Sequence, residues 1–126
     1  MGKLVNDLVL DAALDYIKNN ATQLSVCIDT PTTYSHATTT DNKVLAIHTM
    51  TGADYTVGNG ATGRKVTVAE QPTIAIIGAG TQNATHVCLS AAATDLLYVT
   101  TCTLQALTNG NTVTVPEWNI TIGDPT

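Results

Sequence analysis

ATHVCLSAAATDLLYVTTCT, running from Ala84 to Thr103, is the stretch whose reading decides the fold. Thr85, Val87 and Leu89 alternate with Ala84, His86 and Cys88. After a small-residue connector from Ala91 to Asp95, the chain resumes with Leu96, Leu97, Tyr98 and Val99. A period of two puts successive side chains on opposite faces of a strand, so the stretch predicts a hairpin. It is the most apolar paired segment of the chain, and the sheet is expected to be built around it.

Working outward, the same period recurs on both sides. Gln23 to Asp29 alternates Leu24, Val26 and Ile28 against polar or small neighbours, Lys43 to Met50 has strand character, and Arg64 to Ala69 reads RKVTVA. An apolar run from Thr73 to Ile77 follows Pro72. Downstream come Leu104 to Leu107, the turn Asn109-Gly110-Asn111, a strand from Thr112 to Val115, and a last strand from Glu117 to Ile122 with Trp118, Ile120 and Ile122 on one face. Asn-Gly between β-branched runs predicts a tight hairpin. Pro116, lacking an N–H, suits a sheet edge or a strand start. Two connections stand out: Thr30 to Asn42, without hydrophobic period, reads as an exposed loop, and Thr51 to Gly63 reads as a glycine-rich one. Roughly seven to nine short strands without intervening helices predict a mainly β fold, an antiparallel β-sandwich or jelly-roll-like barrel. It would occupy residues 23–126 as a single β domain.

Residues 1–22 read differently. Val5, Leu8, Val9, Ala12, Ala13, Tyr16 and Ile17 recur at three- and four-residue steps, while Asp7, Asp11 and Asp15 line another face, which predicts one N-terminal α-helix. Asn6 or Asp7 is placed to cap its start, and Asn19-Asn20 to end it in the left-handed conformation. Its apolar face either packs across the chain's own sheet or docks on a neighbouring subunit. The acidic residues within the pattern exclude a signal peptide and a membrane span.

Composition narrows the function. Of 126 residues only 12% are charged while 44% are apolar, and Thr and small residues fill the gap. Such a charge-poor surface favours association with a partner over life as a free monomer. The net charge of −5, with Lys3, Lys18, Lys43, Arg64 and Lys65 as the whole positive complement, cannot supply the phosphate-neutralising stripe that nucleic acid demands. Cys27, Cys88 and Cys102 are an odd number at no framework spacing, which points to synthesis in a reducing compartment.

No motif spells out a reaction. Ile76-Ile77-Gly78-Ala79-Gly80-Thr81-Gln82-Asn83 opens like a dinucleotide fingerprint, but Asn83 stands at the third glycine and a strand follows where a helix is required. His86, Cys88 and Cys102 would project from one face of a hairpin centred near Ala93 as three potential zinc ligands, without the close ligand pairs of structural zinc sites. A Cys-His nucleophilic pair drawn from these with His36 or His48 lacks any spacing signal. Asp29, Asp41, Asp54, Asp95 and Glu117 lie singly at predicted turns and strand ends, as turn formers do. The expectation is a protein that is not an enzyme and uses no metal or cofactor.

VND followed by LDAALDYI in the leading helix, PTTY at Pro31 to Tyr34, ATGRKVTV at Ala61 to Val68, ATHVCLS at Ala84 to Ser90 followed by LLYVTT at Leu96 to Thr101, and a closing WNITI at Trp118 to Ile122 together resemble small virion structural proteins of tailed bacteriophages. The resemblance implies a capsid decoration, or cement, protein or another small head or tail component. It further implies a virion location after synthesis in the host cytoplasm, the major capsid protein or other virion subunits as partners, and homo-oligomeric, three-fold association on the shell. Neither nucleic acid nor membrane is expected as a partner. Candidate interface residues are Val5, Leu8 and Tyr16 on the helix, Tyr34 and His36 on the Thr-rich loop, and Tyr55 and Arg64 around the glycine-rich one. The alternative is a fibre or adhesin-like module binding a host surface glycan through Tyr34, His36 and Tyr55, because loop aromatics beside polar groups suit sugars.

Overall fold

In the computed structural model, which describes residues 4–38, 43–91 and 95–124, the chain runs α1 (Asp7–Asn20), β1 (Ala21–Cys27), α2 (Tyr34–Thr38), β2 (Val44–Thr49), β3 (Tyr55–Asn59), β4 (Arg64–Val68), β5 (Gln71–Ala75), β6 (Thr81–Ala91), β7 (Asp95–Thr108), β8 (Thr112–Val115) and β9 (Trp118–Ile122). The strands form a four-stranded sheet in the order β2-β1-β6-β7, a three-stranded sheet β3-β4-β9 and a two-stranded sheet β5-β8. Every pairing between these strands is antiparallel. One core collects Leu24, Val26, Val87 and Leu89 from the first sheet, Val66, Val68 and Ile120 from the second, and Ile74 and Val115 from the third. The fold is therefore mainly β and antiparallel, with one long N-terminal helix, and its sheets enclose a shared interior as a sandwich does.

The stretch does form an antiparallel pair, β6 with β7, longer than the sequence suggested, but the middle of its sheet is β1 with β6, and β7 is an edge. β6 begins at Thr81 and β7 continues to Thr108, so Leu104 to Leu107 belong to the same strand instead of a separate one. The register slips between Ala84 and His86, opposite Gln105 and Thr101, and again between Leu89 and Ser90. Extra residues on β7 thus bulge out of the ladder, which bends this edge strand and spoils it as a template for further pairing. The connector expected from Ala91 to Asp95 falls mostly on residues 92–94, outside the described residues.

Asn109-Gly110 makes its turn without making the hairpin. Gly110 has φ 89°, and Asn111 N–H closes on Thr108 C=O at 3.1 Å. The strand that leaves the turn pairs with β5, through Ile74 opposite Val113, and not with β7. The turn therefore carries the chain from one sheet to another. Both expected loops also gain structure. The Thr-rich connection contains α2, whose Ala37 is buried, and Thr51 to Gly63 contains a 3-10 turn at Gly52–Asp54 followed by β3. Gly63 closes the β3–β4 connection at φ 69°, where an added Cβ would stand 2.1 Å from the Ile122 carbonyl oxygen.

Asp54 ties that region together. Its carboxylate accepts from the Thr51 N–H at 2.8 Å and from the buried Gln71 side chain at 3.1 Å, a reciprocal cap on the 3-10 turn. Burial opposes its ionisation, but the hydrogen bonds from Thr51 and Gln71 outweigh it and hold the carboxyl below 3.8. A depressed folded-state value stabilises the fold above the unfolded value, and that contribution is lost as pH falls through the folded value. Urea midpoints are expected to drop as the pH is taken below 3.8, and Asp54→Asn is expected to flatten that drop. An identical acid slope in the variant would remove Asp54 from the account.

Candidate interaction surface

The N-terminal helix decides what surface the molecule offers. Asn6 caps it, its side-chain oxygen accepting from Leu8 N–H at 2.8 Å. At the other end Ala21 is not left-handed (φ −78°, ψ 89°); instead Asn20 Nδ2 donates to the Tyr16 carbonyl at 2.8 Å. The face that packs inward carries Leu10, Leu14 and Ile17, with Leu14 wholly buried. Arg64 at the start of β4 fixes this orientation: Nε donates to Asp11 Oδ1 at 2.6 Å and Nη2 to Asp11 Oδ2 at 3.2 Å, while Nη1 reaches Asn59 Oδ1. The Asp11 carboxylate raises the Arg64 pKa against the opposing effect of burial.

The apolar face predicted for the helix is thus divided: Ile17 packs inward, while most of the rest is turned away from the sheet. Leu4 is 90% exposed, Leu8 77%, Val9 63% and Tyr16 54%, with Ala12 and Ala13 open between them. Val5 is half-buried. At 3.6 residues per turn, Leu8, Val9, Ala12 and Tyr16 make one stripe along the helix. A contiguous stripe of this kind differs from the scattered single apolar residues that every surface carries.

The other interface candidates are placed differently. Tyr55 is 2% exposed, and its hydroxyl donates to the Ala21 carbonyl at 2.7 Å, so it is a core residue and cannot present its ring to a partner. Burial, aided by the Asp54 charge, pushes its phenol up. Arg64 spends its guanidinium on Asp11 and Asn59 within the chain, which takes it out of the candidate interface. Tyr34 is half-buried, its hydroxyl 3.5 Å from Gln23 Oε1, and His36 Nδ1 lies 3.1 Å from Thr32 Oγ1. With Tyr55 in the core, the aromatic platform imagined for a glycan loses one of its two rings.

The residues that could carry chemistry are dispersed. Cys102 packs against the main core, whereas Cys88 lies in a second cluster with Cys27 and Ala37, so the three-ligand face of His86, Cys88 and Cys102 does not exist. The cause is the period of the strand: Thr100 and Cys102 share the inner face with Val87, and His86 and Cys88 share the outer. Both His86 ring nitrogens are engaged, Nε2 with Thr30 Oγ1 at 3.1 Å and Nδ1 with Thr85 Oγ1 at 2.8 Å. Among the described residues no group of three or more His, Cys, Asp or Glu side chains stands ready to hold a metal ion. The glycines of Gly78-Ala79-Gly80 serve the fold. The N–H groups of Ile77 and Gly78 both donate to the Leu45 carbonyl, and a Cβ on Gly78 would come within 2.5 Å of Leu45 Cδ2. Of the carboxylates, Asp29 pairs with Lys43 at 3.1 Å, an ion pair that lowers its pKa, and Asp41 lies outside the described residues.

No family model, no curated protein and no solved structure matches the chain. Its surface must therefore be read on its own chemistry.

One concavity escaped the sequence reading. Between β7 and the β8–β9 connection lies a cleft of about 280 Å³, lined by Val87, Thr100, Cys102, Val115, Pro116 and Trp118 among others. Tyr98 stacks on Trp118 with ring centroids 5.7 Å apart, and the buried Trp118 indole N–H has no hydrogen-bond partner. Pro116 and Trp118 were the only local signal, since a proline breaks the ladder there and leaves the sandwich edge open. The lining of the cleft is mostly apolar, and Cys102 is the one titratable side chain in it, so it supplies a hydrophobic recess without a reactive pair. Among the described residues, no helix is long and apolar enough to cross a membrane.

Proposed function

We propose that the protein is a non-enzymatic structural subunit of a phage virion, a capsid decoration or cement protein that stabilises the head shell by burying uncharged and apolar surface against major capsid subunits. The observation that carries this reading is the solvent-facing stripe of Leu8, Val9 and Tyr16 on a helix whose Leu10 and Leu14 are buried, with exposed Leu4 just ahead of its cap. Burying such a stripe is worth about 25 cal/mol for each Å² of apolar area removed from water, before the costs of association. The 12% charged content supports the same reading, because little charge must be desolvated when the surface meets a neighbour. A subunit that binds the assembled shell and not its dissociated parts stabilises the shell by mass action, so each contact can be modest. Three-fold self-association on the shell belongs to this reading, as does the resemblance of the sequence to small virion proteins.

The test is co-sedimentation of the purified protein with assembled heads and with unassembled major capsid subunits. Saturable binding to heads and none to free subunits is the expected outcome. A stable monomer that stays in the supernatant with both would end the proposal.

A further inference from the structure

Cys27 and Cys88 meet beneath α2. Both side chains are fully buried, their sulfurs lie 3.7 Å apart, and with Ala37 they form a small second cluster. The cluster sits on the face of the four-stranded sheet opposite the main core, because Cys27 and Cys88 alternate with Val26 and Val87. We propose that this pair is a modification site: on exposure to a peroxide, Cys27 and Cys88 form a cross-strand disulfide that ties β1 to β6.

The geometry carries the step. Cys27 is opposite His86 and Cys88 opposite Ser25, so the two cysteines are diagonal neighbours on adjacent strands. Diagonal pairs start farther apart than directly opposed ones, and a disulfide needs its sulfurs at about 2.05 Å. The backbone can yield where it must. Cys27 is the last residue of β1, and the β1–β2 register already slips between Val26 and Cys27. Two buried hydroxyls, Ser25 and Ser90, share this face of the sheet and lack hydrogen-bond partners, so they are donors within the cysteine layer. Its roof is α2, a helix of five residues, and lifting so short an element costs far less than unfolding the domain. Cys102 faces the main core and takes no part.

The chemistry balances with one peroxide. The Cys88 thiolate attacks a peroxide oxygen, the O–O bond breaks, and hydroxide leaves, giving a sulfenic acid on Cys88. The Cys27 sulfur then attacks the Cys88 sulfur, the S–O bond breaks, and the departing hydroxide takes up the Cys27 proton as water. Two thiols and one hydrogen peroxide become one disulfide and two waters, with two electrons passing from sulfur to peroxide. In the reduced pair the hydrogen bond to Cys88 raises the Cys27 thiol, with burial adding to it, and the same bond draws the Cys88 thiol down against its burial. A chain folded in reducing surroundings carries the pair as thiols and gains the bond on reaching an oxidising medium. This inference stands apart from the shell-binding reading.

Treating the folded protein with hydrogen peroxide, then unfolding and alkylating it, reads the outcome directly. Alkylatable thiols are expected to fall from three to one, with peptide mapping showing Cys27 joined to Cys88 and a thiol reductant restoring all three. The thermal midpoint should rise in the oxidised form, because the bond joins residues 61 positions apart and restricts the unfolded chain. In Cys102→Ser the same link should form and leave no alkylatable thiol. Three thiols surviving peroxide, a link that includes Cys102, or Cys88 oxidised further with Cys27 still free would each overturn the proposal.

Discussion

Leu14→Ala is expected to lower the unfolding free energy by about 3 kcal/mol, and Leu8→Ala, six residues earlier on the same helix, by less than about 0.5 kcal/mol. Leu14 is wholly buried, and truncating it removes transfer energy and leaves a cavity among Leu24, Val66 and their neighbours in the core. Leu8 is 77% exposed, and an alanine there removes little contact while matching the helix propensity of leucine. Urea unfolding of both variants at neutral pH gives the comparison. Equal losses at the two positions would mean that the helix sits with its other face on the sheet. The reverse order would say the same more strongly.

The second large effect concerns assembly. Leu8→Glu combined with Tyr16→Glu is expected to weaken binding to assembled heads by about 30-fold or more, equivalent to about 2 kcal/mol, while leaving the urea midpoint within error of the parent. The reason is that a carboxylate in the middle of an apolar contact must be desolvated without a partner. Both residues are solvent-facing in the isolated chain, so folding has nothing to lose. Undiminished binding by this double variant would move the contact elsewhere, with the apolar cleft beside Trp118 the next surface to examine.

What could be seen in the sequence divides along a physical line. Local periodicity is written in the chain: the alternation in Gln23 to Asp29 and in Arg64 to Val68 falls on β1 and β4, and the three- and four-residue steps locate α1. Which partner each element meets is not written there. The Asn109-Gly110 turn has the right local chemistry for a hairpin, yet β8 finds β5, because pairing is decided by apolar contacts between distant segments such as Ile74 and Val113. The helix is the sharpest case. It has two apolar faces, Leu10, Leu14 and Ile17 against Leu8, Val9 and Tyr16, and periodicity alone cannot say which of them the sheet will cover. The sheet covers Leu10 and Leu14, and an arginine 53 positions away pairs with Asp11 in that arrangement.

The interface candidates show the same limit. Leu8 and Tyr16 are on the surface, while Tyr55, surrounded by glycine and threonine, reads as a loop residue and is a core one. A signal was available, since Thr51 and Asp54 have the spacing of a capping box and so announce an ordered turn leading into β3. The approach of Cys27 to Cys88 had no local signal at all, because it depends on how β1 lies against β6.

The most direct measurement is hydroxyl-radical footprinting of the protein, free in solution and bound to assembled heads, read at Tyr16 and Tyr34. The stripe on α1 as the shell-binding surface predicts that Tyr16, open in the isolated chain, is oxidised readily when free and protected when bound. Tyr16 reacting equally in both states, with protection falling on Tyr34 and the Thr-rich loop instead, would contradict it.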